Sequence, residues 1–164
     1  MRILFSIVLL ALTSWVTASA DSIPARVLSV HDGDTLTALI DGHGTVIRLE
    51  GIDAPELSQP DGPEAAAWLK RKLPPGSPIL LITSTSADIY GRTLATVFHD
   101  GQDICRAEIE AGSAWYFIKY KRSLTATQRE DYQEAEDAAK SAALGLWADS
   151  EPVAPWLYRK SLRK

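Results

Sequence analysis

Three particular carboxylates, Asp34, Asp53 and Glu56, stand with one guanidinium, Arg48, in a stretch that otherwise spells a β-hairpin, and nothing else in the 164-residue chain restricts the fold so tightly. The stretch runs from His31 to Glu56. Leu36 to Ile40 and Thr45 to Leu49 are short runs of strand-forming residues, and Asp41-Gly42-His43-Gly44 between them has turn chemistry. Pairing Ile40 with Thr45 sets Leu36 against Leu49 and Ala38 against Ile47, which makes one face of the hairpin apolar. The same register sets Asp34 across from Gly51, close to Asp53 at the open end. Asp34 and Asp53 are thus expected to be neighbours in space, with Arg48 and Glu56 in the same segment.

Ala25 to Val30 reads as a strand that precedes the hairpin, ended by Asp32-Gly33. After Glu56, the run Ser58-Gln59-Pro60-Asp61-Gly62-Pro63 cannot extend a strand and reads as a surface loop. Pro63 and Glu64 then open a helix through Lys72, stopped by Pro74-Pro75-Gly76. Ile79 to Thr83 and Thr93 to Phe98 are further strands, which brings the number to five. Asp103 caps a helix over Ile104 to Ala111, closed by Gly112. Thr125-x-x-Gln128 is a capping box for a third helix that reaches Leu144, with Tyr132, Ala135, Ala139 and Ala142 along one side and Gly145 after it. Trp147, Trp156 and Leu157 belong to a Pro-containing tail expected to pack back on the body. Strands first with helices interspersed argue for an α+β fold, a small antiparallel barrel with helices at its ends, rather than a doubly wound parallel sheet.

The first residues carry a different message. Met1-Arg2, the apolar run Ile3 to Leu12 and Ala18-Ser19-Ala20 describe a secretory signal peptide cleaved near Ala20, an uncleaved anchor being the alternative. A 20-residue leader leaves 144 residues, 21–164, enough for one domain and its basic tail. Cys105 is the single cysteine, so an exported domain cannot rely on an internal disulfide. Its place in an amphipathic helix suits a small buried hydrophobe better than a reactive thiol. Without Arg2 the chain carries 16 basic and 21 acidic residues, net −5, which excludes a uniformly basic nucleic-acid footprint. Any polyanion must bind through patches: Lys70-Arg71-Lys72, Lys119 with Lys121 and Arg122, or Arg159-Lys160 with Arg163-Lys164. Solvated helix faces and a loose tail explain such clusters equally well. Tyr90, Tyr116 and Tyr120 sit near basic residues, an arrangement that suits base stacking, although aromatic packing on the core would look the same from sequence.

The clustered groups support a definite chemistry. Hard oxygen ligands such as Asp34 and Asp53 suit calcium or magnesium, whereas zinc would ask for His or Cys. Arg48 can grip phosphate through its planar fork, and Glu56 is near enough in sequence to act on a bound water. The loop Asp88-Ile89-Tyr90-Gly91-Arg92 adds a second arginine. Together they point to phosphodiester hydrolysis, against a plain reading in which Asp32-Gly33-Asp34 is a turn and Glu56 a helix-capping acid.

Asp32-Gly33-Asp34-Thr35, Arg48-Leu49 with Gly51-Ile52-Asp53-Ala54-Pro55-Glu56, Gly62-Pro63-Glu64-Ala65 and Tyr90-Gly91-Arg92 resemble the staphylococcal nuclease (thermonuclease) family. The similarity continues through Glu110-Ala111-Gly112-Ser113-Ala114-Trp115, Leu144-Gly145-Leu146-Trp147 and the Pro155-Trp156 tail. The resemblance implies a five-stranded OB-fold barrel with three helices and calcium-dependent cleavage of DNA and RNA to 3′-phosphate ends. It implies Asp34, Asp53 and the Ala54 carbonyl as Ca²⁺ ligands, Glu56 as general base, and Arg48 and Arg92 as the arginines that meet phosphate and transition-state charge. The chain departs from the family pattern at Ala54, where Thr is usual, at Ile89, where Lys precedes the Tyr, and at Ile118, where a substrate-contacting Tyr is expected; Tyr116 or Tyr120 would have to serve instead. The competing expectation is a non-catalytic OB module that binds nucleic acid or peptide. The presence of Asp34, Asp53, Glu56, Arg48 and Arg92 together favours the enzyme, and a monomer is the default.

Overall fold

A computed structural model describes residues 22–83, 87–88, 90–120 and 123–163. The leader expected at 1–20 and Ile89 lie outside the described residues, as does the side chain of Tyr120. Strands β1 (Ser22–Val30), β2 (Thr35–Ile40) and β3 (His43–Leu49) form an antiparallel meander, and β5 (Pro78–Thr83) and β6 (Thr93–His99) extend it on the other side of β1. A register shift between Val27 and Ser29 bends β1, so that its first half pairs with β5 and its second with β2. Parallel pairing of β3 with β6, Ile47 to Thr93 through Leu49 to Ala95, closes the five strands into a barrel. Closure removes the free edges that an open sheet of this size would expose.

The turn between β2 and β3 is two residues shorter than the sequence suggests. Ile40 pairs with His43, Ala38 with Thr45 and Leu36 with Ile47. Asp41 and Gly42 alone make the turn, with φ of 48° and 82°, the primed two-residue geometry that matches strand twist. Because a strand repeats every second residue, a slip of two keeps every side chain on its expected face. Leu36, Ala38, Ile47 and Leu49 are accordingly all buried, together with Val27, Leu81, Ala95 and Val97 from the other barrel strands.

Among the described residues four α-helices accompany the barrel, one more than the resemblance implies. α1 (Gly62–Lys72) buries Ala65, Ala66 and Leu69, and its last turn carries Lys70, Arg71 and Lys72, the charge sign that a helix C-terminus favours. α2 (Ile104–Glu110) has Asp103 as N-cap, accepting from the Arg106 amide. α3 (Ala126–Ser141) has the full Thr125–Gln128 capping box, buries Tyr132, Ala135 and Ala139, and packs on α2. It stops short of Leu144, because Ala143 takes the left-handed position at φ 49° and the amides of Ala143 and Leu144 return to the carbonyls of Lys140 and Ala139. The fourth helix, α4 (Pro155–Ser161), lies in the tail: Pro155 starts it and Arg159 and Lys160 end it. Between these elements β7 (Gln102–Asp103) extends β6, while β4 (Ile52–Asp53) pairs with β8 (Trp115–Tyr116), Asp53 opposite Trp115. No helix among the described residues is long and apolar enough to cross a membrane.

Cys105 is buried, and burial raises its thiol well above the usual range, which leaves it a packing residue. Glu108 on α2 is the opposite case. It is fully buried, and neither carboxylate oxygen has a hydrogen-bond partner among the described residues. Burial, and then the negative charge of Asp34, raise its carboxyl well above the ordinary 4.5, with Arg48 opposing. A group whose folded-state pKa is raised contributes its full stability below the unfolded value and loses it as pH climbs through the folded one. Glu108→Leu removes the unsatisfied group, and such groups cost about 1–3 kcal/mol. The variant is expected to melt higher than the native protein, and thermal unfolding at acid and mildly alkaline pH should show the gap widening above pH 4.5.

Candidate active site

Asp34 follows the turn that ends β1, and its carbonyl accepts from the Leu49 amide at 2.8 Å, which continues the β2–β3 ladder beyond its last full pair. Asp53 ends β4. Arg48 near the end of β3 binds both: its Nη2 is 2.8 Å from Asp34 Oδ2 and 2.9 Å from Asp53 Oδ1, while Nη1 donates to the Leu49 carbonyl at 2.8 Å. One guanidinium therefore fixes the spacing of two carboxylates that are nineteen residues apart in the chain. The Ala54 amide donates to Asp34 Oδ2 at 2.8 Å, and the Thr35 hydroxyl to Oδ1 at 3.1 Å. All three ionic side chains are buried.

This brace does not fully compensate Asp34. Its carboxyl is raised from 3.8 to about 7, chiefly by burial and further by the neighbouring charges of Asp32 and Asp53, against the lowering effect of Arg48. A second positive charge beside it would favour its ionised form.

Glu56 lies between β4 and α1, with its side chain 40% exposed. The loop that follows is tightly folded: the Gln59 amide donates to the Glu56 carbonyl at 2.8 Å, and the Gln59 side chain reaches the Val153 carbonyl in the tail. Arg92 enters from the stretch between β5 and β6. Asp88 accepts from its Nε at 2.8 Å and Nη2 at 2.7 Å, and its Nη1 stands 3.5 Å from the Thr35 hydroxyl, beside Asp34. The exposed ring of Tyr90 lies against this guanidinium, 5.4 Å from Cζ. Asp34, Arg48, Asp53, Ala54, Glu56, Tyr90 and Arg92 all line one wide cleft.

Tyr116 does not line it. The Tyr116 ring is buried, 6.0 Å and edge-on to Tyr132, and its amide donates to Glu136, so it belongs to the core beneath α3 and not to a stacking platform. Its aromatic neighbour Phe117 faces the cleft instead, because alternation along the chain points successive side chains to opposite sides. Ile118, at the position of the family's Tyr, is half exposed.

A third arginine joins the site from the tail. Arg159 of α4 places Nη2 2.7 Å from Asp53 Oδ2, Nη1 3.2 Å from Asp53 Oδ1 and the same Nη1 2.7 Å from Glu56 Oε1. Lys160 and Arg163 line the cleft beside it, as does Lys119. Arg159, Lys160 and Arg163 of the terminal basic cluster, which from sequence looks like a loose tail, thus form one wall of the site. Pro155 with basic residues four and five positions later is a short-helix signature, and it was the available signal. Nothing in the sequence marks the end of that helix as facing Asp53.

The donor set is oxygen only. Asp34 and Asp53 provide carboxylates, and among the described residues no group of three or more His, Cys, Asp or Glu converges as a metal cluster. Two carboxylates suit a hard cation that keeps water and phosphate oxygens in its remaining positions, and the elevated Asp34 is the kind of group such an ion satisfies.

A closed five-stranded barrel that carries acids and arginines in a cleft built on β3, β4 and the β5–β6 connection defines a class of OB-type α+β protein. A profile of the family described as staphylococcal nuclease homologue matches residues 46–149, a span that holds Arg48, Asp53, Glu56 and Arg92 and begins after Asp34. A Haemophilus influenzae protein described as an uncharacterized endonuclease is 32% identical over 160 residues, covering 97% of this chain and 85% of that protein. An Escherichia coli protein of the same description is 34% identical over 149 residues, 89% of this chain and 90% of its own length. The staphylococcal-like nuclease CAN1 of Arabidopsis thaliana is 33% identical over 117 residues, 71% of this chain and 34% of that protein. The chain belongs to the staphylococcal nuclease family.

Proposed function

We propose that the protein is an endonuclease that hydrolyses phosphodiester bonds of DNA and RNA with the help of a calcium ion. The observation that carries this reading is the Arg48 brace, which holds Asp34 and Asp53 side by side in a cleft that Glu56 and Arg92 share. Asp34 and Asp53, with the Ala54 carbonyl, would hold the ion; when bound, it neutralises charge on the scissile phosphate.

The chain's own residues then divide the work. Glu56, partly exposed beside the buried acids, takes a proton from the attacking water. As the water oxygen bonds to phosphorus, the bond to the 5′ oxygen breaks and that oxygen takes a proton from solvent, which leaves a 3′-phosphate and a 5′-hydroxyl. Arg92 meets the charge that builds on the phosphate oxygens, and Arg48 adds positive charge from below while keeping the carboxylates in place. Tyr90 offers exposed ring surface for a base, and Lys119, Lys160 and Arg163 offer charge for the flanking phosphates. Local patches of this kind serve a chain whose net charge is negative. The basic-apolar-small pattern of the first twenty residues supports export to the periplasm or the medium.

The test is incubation of the mature protein with plasmid DNA and with RNA, in calcium and in chelator. Both substrates should be cut in calcium and neither in chelator. Intact substrate in calcium, with retained nucleic-acid binding, would instead identify a non-catalytic binding module.

A further inference from the structure

Asp53 is held between two guanidinium groups. Arg48 takes its Oδ1 from the barrel side, and Arg159 spans both of its oxygens from the cleft side before continuing to Glu56. The Asp53 side chain is only 2% exposed, and Arg159 is what covers its outward oxygens. A divalent cation that ligates Asp53 from the cleft must therefore meet Arg159 first. An ion arriving from the cleft competes with Arg159 for the outward lone pairs that Arg48 leaves open, and the two positive charges repel one another at contact distance.

The helix that carries Arg159 is tied down independently of that contact. Trp156 stacks on Phe117 at 5.1 Å and meets Trp115 edge-on at 5.6 Å. The Tyr158 hydroxyl donates to the Ser58 carbonyl at 2.9 Å. The α4 backbone can thus stay in place while the Arg159 side chain, 36% exposed at the cleft mouth, turns away. Long arginine side chains accommodate such a turn through their rotatable stem.

We propose that Arg159 is the resident counter-ion of the cation site: it neutralises Asp53 and Glu56 in the metal-free protein, competes directly with the divalent cation, and so sets the cation concentration at which the site loads. The proposal rests on the calcium reading given above. It assigns to the tail helix a restraint on the site rather than a step in the reaction.

Calcium affinity, measured by isothermal titration on the mature full chain without nucleic acid, tests it. Arg159→Ala and Arg159→Gln should both bind calcium more tightly than the native protein, by about tenfold, within the usual range for coupling between competing sites. In chelator both variants should melt lower than the native protein, because Asp53 and Glu56 are left as uncompensated like charges, and calcium should raise their melting temperatures more. A residue with a merely structural role would weaken calcium binding when removed. Native protein that binds calcium while both variants bind it equally or more weakly would overturn the proposal and leave the calcium reading standing. No calcium binding by any of the three proteins would overturn both.

Discussion

Glu56→Gln is expected to lower the rate of phosphodiester cleavage by about 10²–10⁴-fold at saturating calcium while the protein folds as before. Glu56 is partly exposed, and among the described residues its ionic partner is Arg159 at 2.7 Å. Glutamine preserves the shape and an acceptor oxygen for that guanidinium but cannot take the proton from water. Initial rates on a defined oligonucleotide, read beside far-ultraviolet circular dichroism and the melting temperature, separate chemistry from folding. A loss of less than tenfold would remove Glu56 from the role of general base.

The second large effect is expected at a residue that touches no substrate. A Cβ at Gly62 would lie 1.8 Å from the Glu56 carbonyl oxygen and 2.6 Å from its carbonyl carbon. Both are backbone atoms, so no rotamer change relieves the clash. Gly62→Ala must push the 56–62 loop away from α1, at a cost of about 3 kcal/mol for an overpacked contact without slack. For a domain of this size each kcal/mol lowers the melting temperature by about 2–4 °C. Because the displaced backbone carries Glu56, the rate should also fall about 100-fold, the usual consequence of moving a catalytic group by about an ångström. Thermal unfolding and initial rates check both parts. A variant as stable and as active as the native protein would show that the loop has room that its close packing denies.

Much of this site is legible from residue order, for particular reasons. Asp34 and Asp53 come together because strand pairing is local and periodic, so a β2–β3 hairpin carries the residues just beyond its ends to the same place. That inference survives an error in the turn, since a slip of two residues leaves every side chain on its face. The five strands and the Thr125 capping box are equally local, one encoded by alternation and the other by hydrogen bonds three residues apart.

Other features escape for the converse reason. Tyr116 and Phe117 are adjacent aromatics beside the same lysine, and only the pairing of β8 with β4 decides which enters the core. Glu108 reads as one more polar residue on a helix. Its burial without a partner depends on how α2 seats against the barrel.

The amino-acid sequence by itself determined the five barrel strands, the hairpin and the grouping of Asp34, Arg48, Asp53 and Glu56, because each rests on interactions between near neighbours in the chain. Tertiary structure alone decided how that group is completed and guarded. Barrel closure through β3 and β6 carries Arg92 to the rim near Thr35, and the packing of Trp156 on Phe117 swings α4 round so that Arg159, 106 residues away in the chain, reaches Asp53. Contacts at that separation leave no periodic trace in the sequence, since their geometry exists only once the intervening elements have packed.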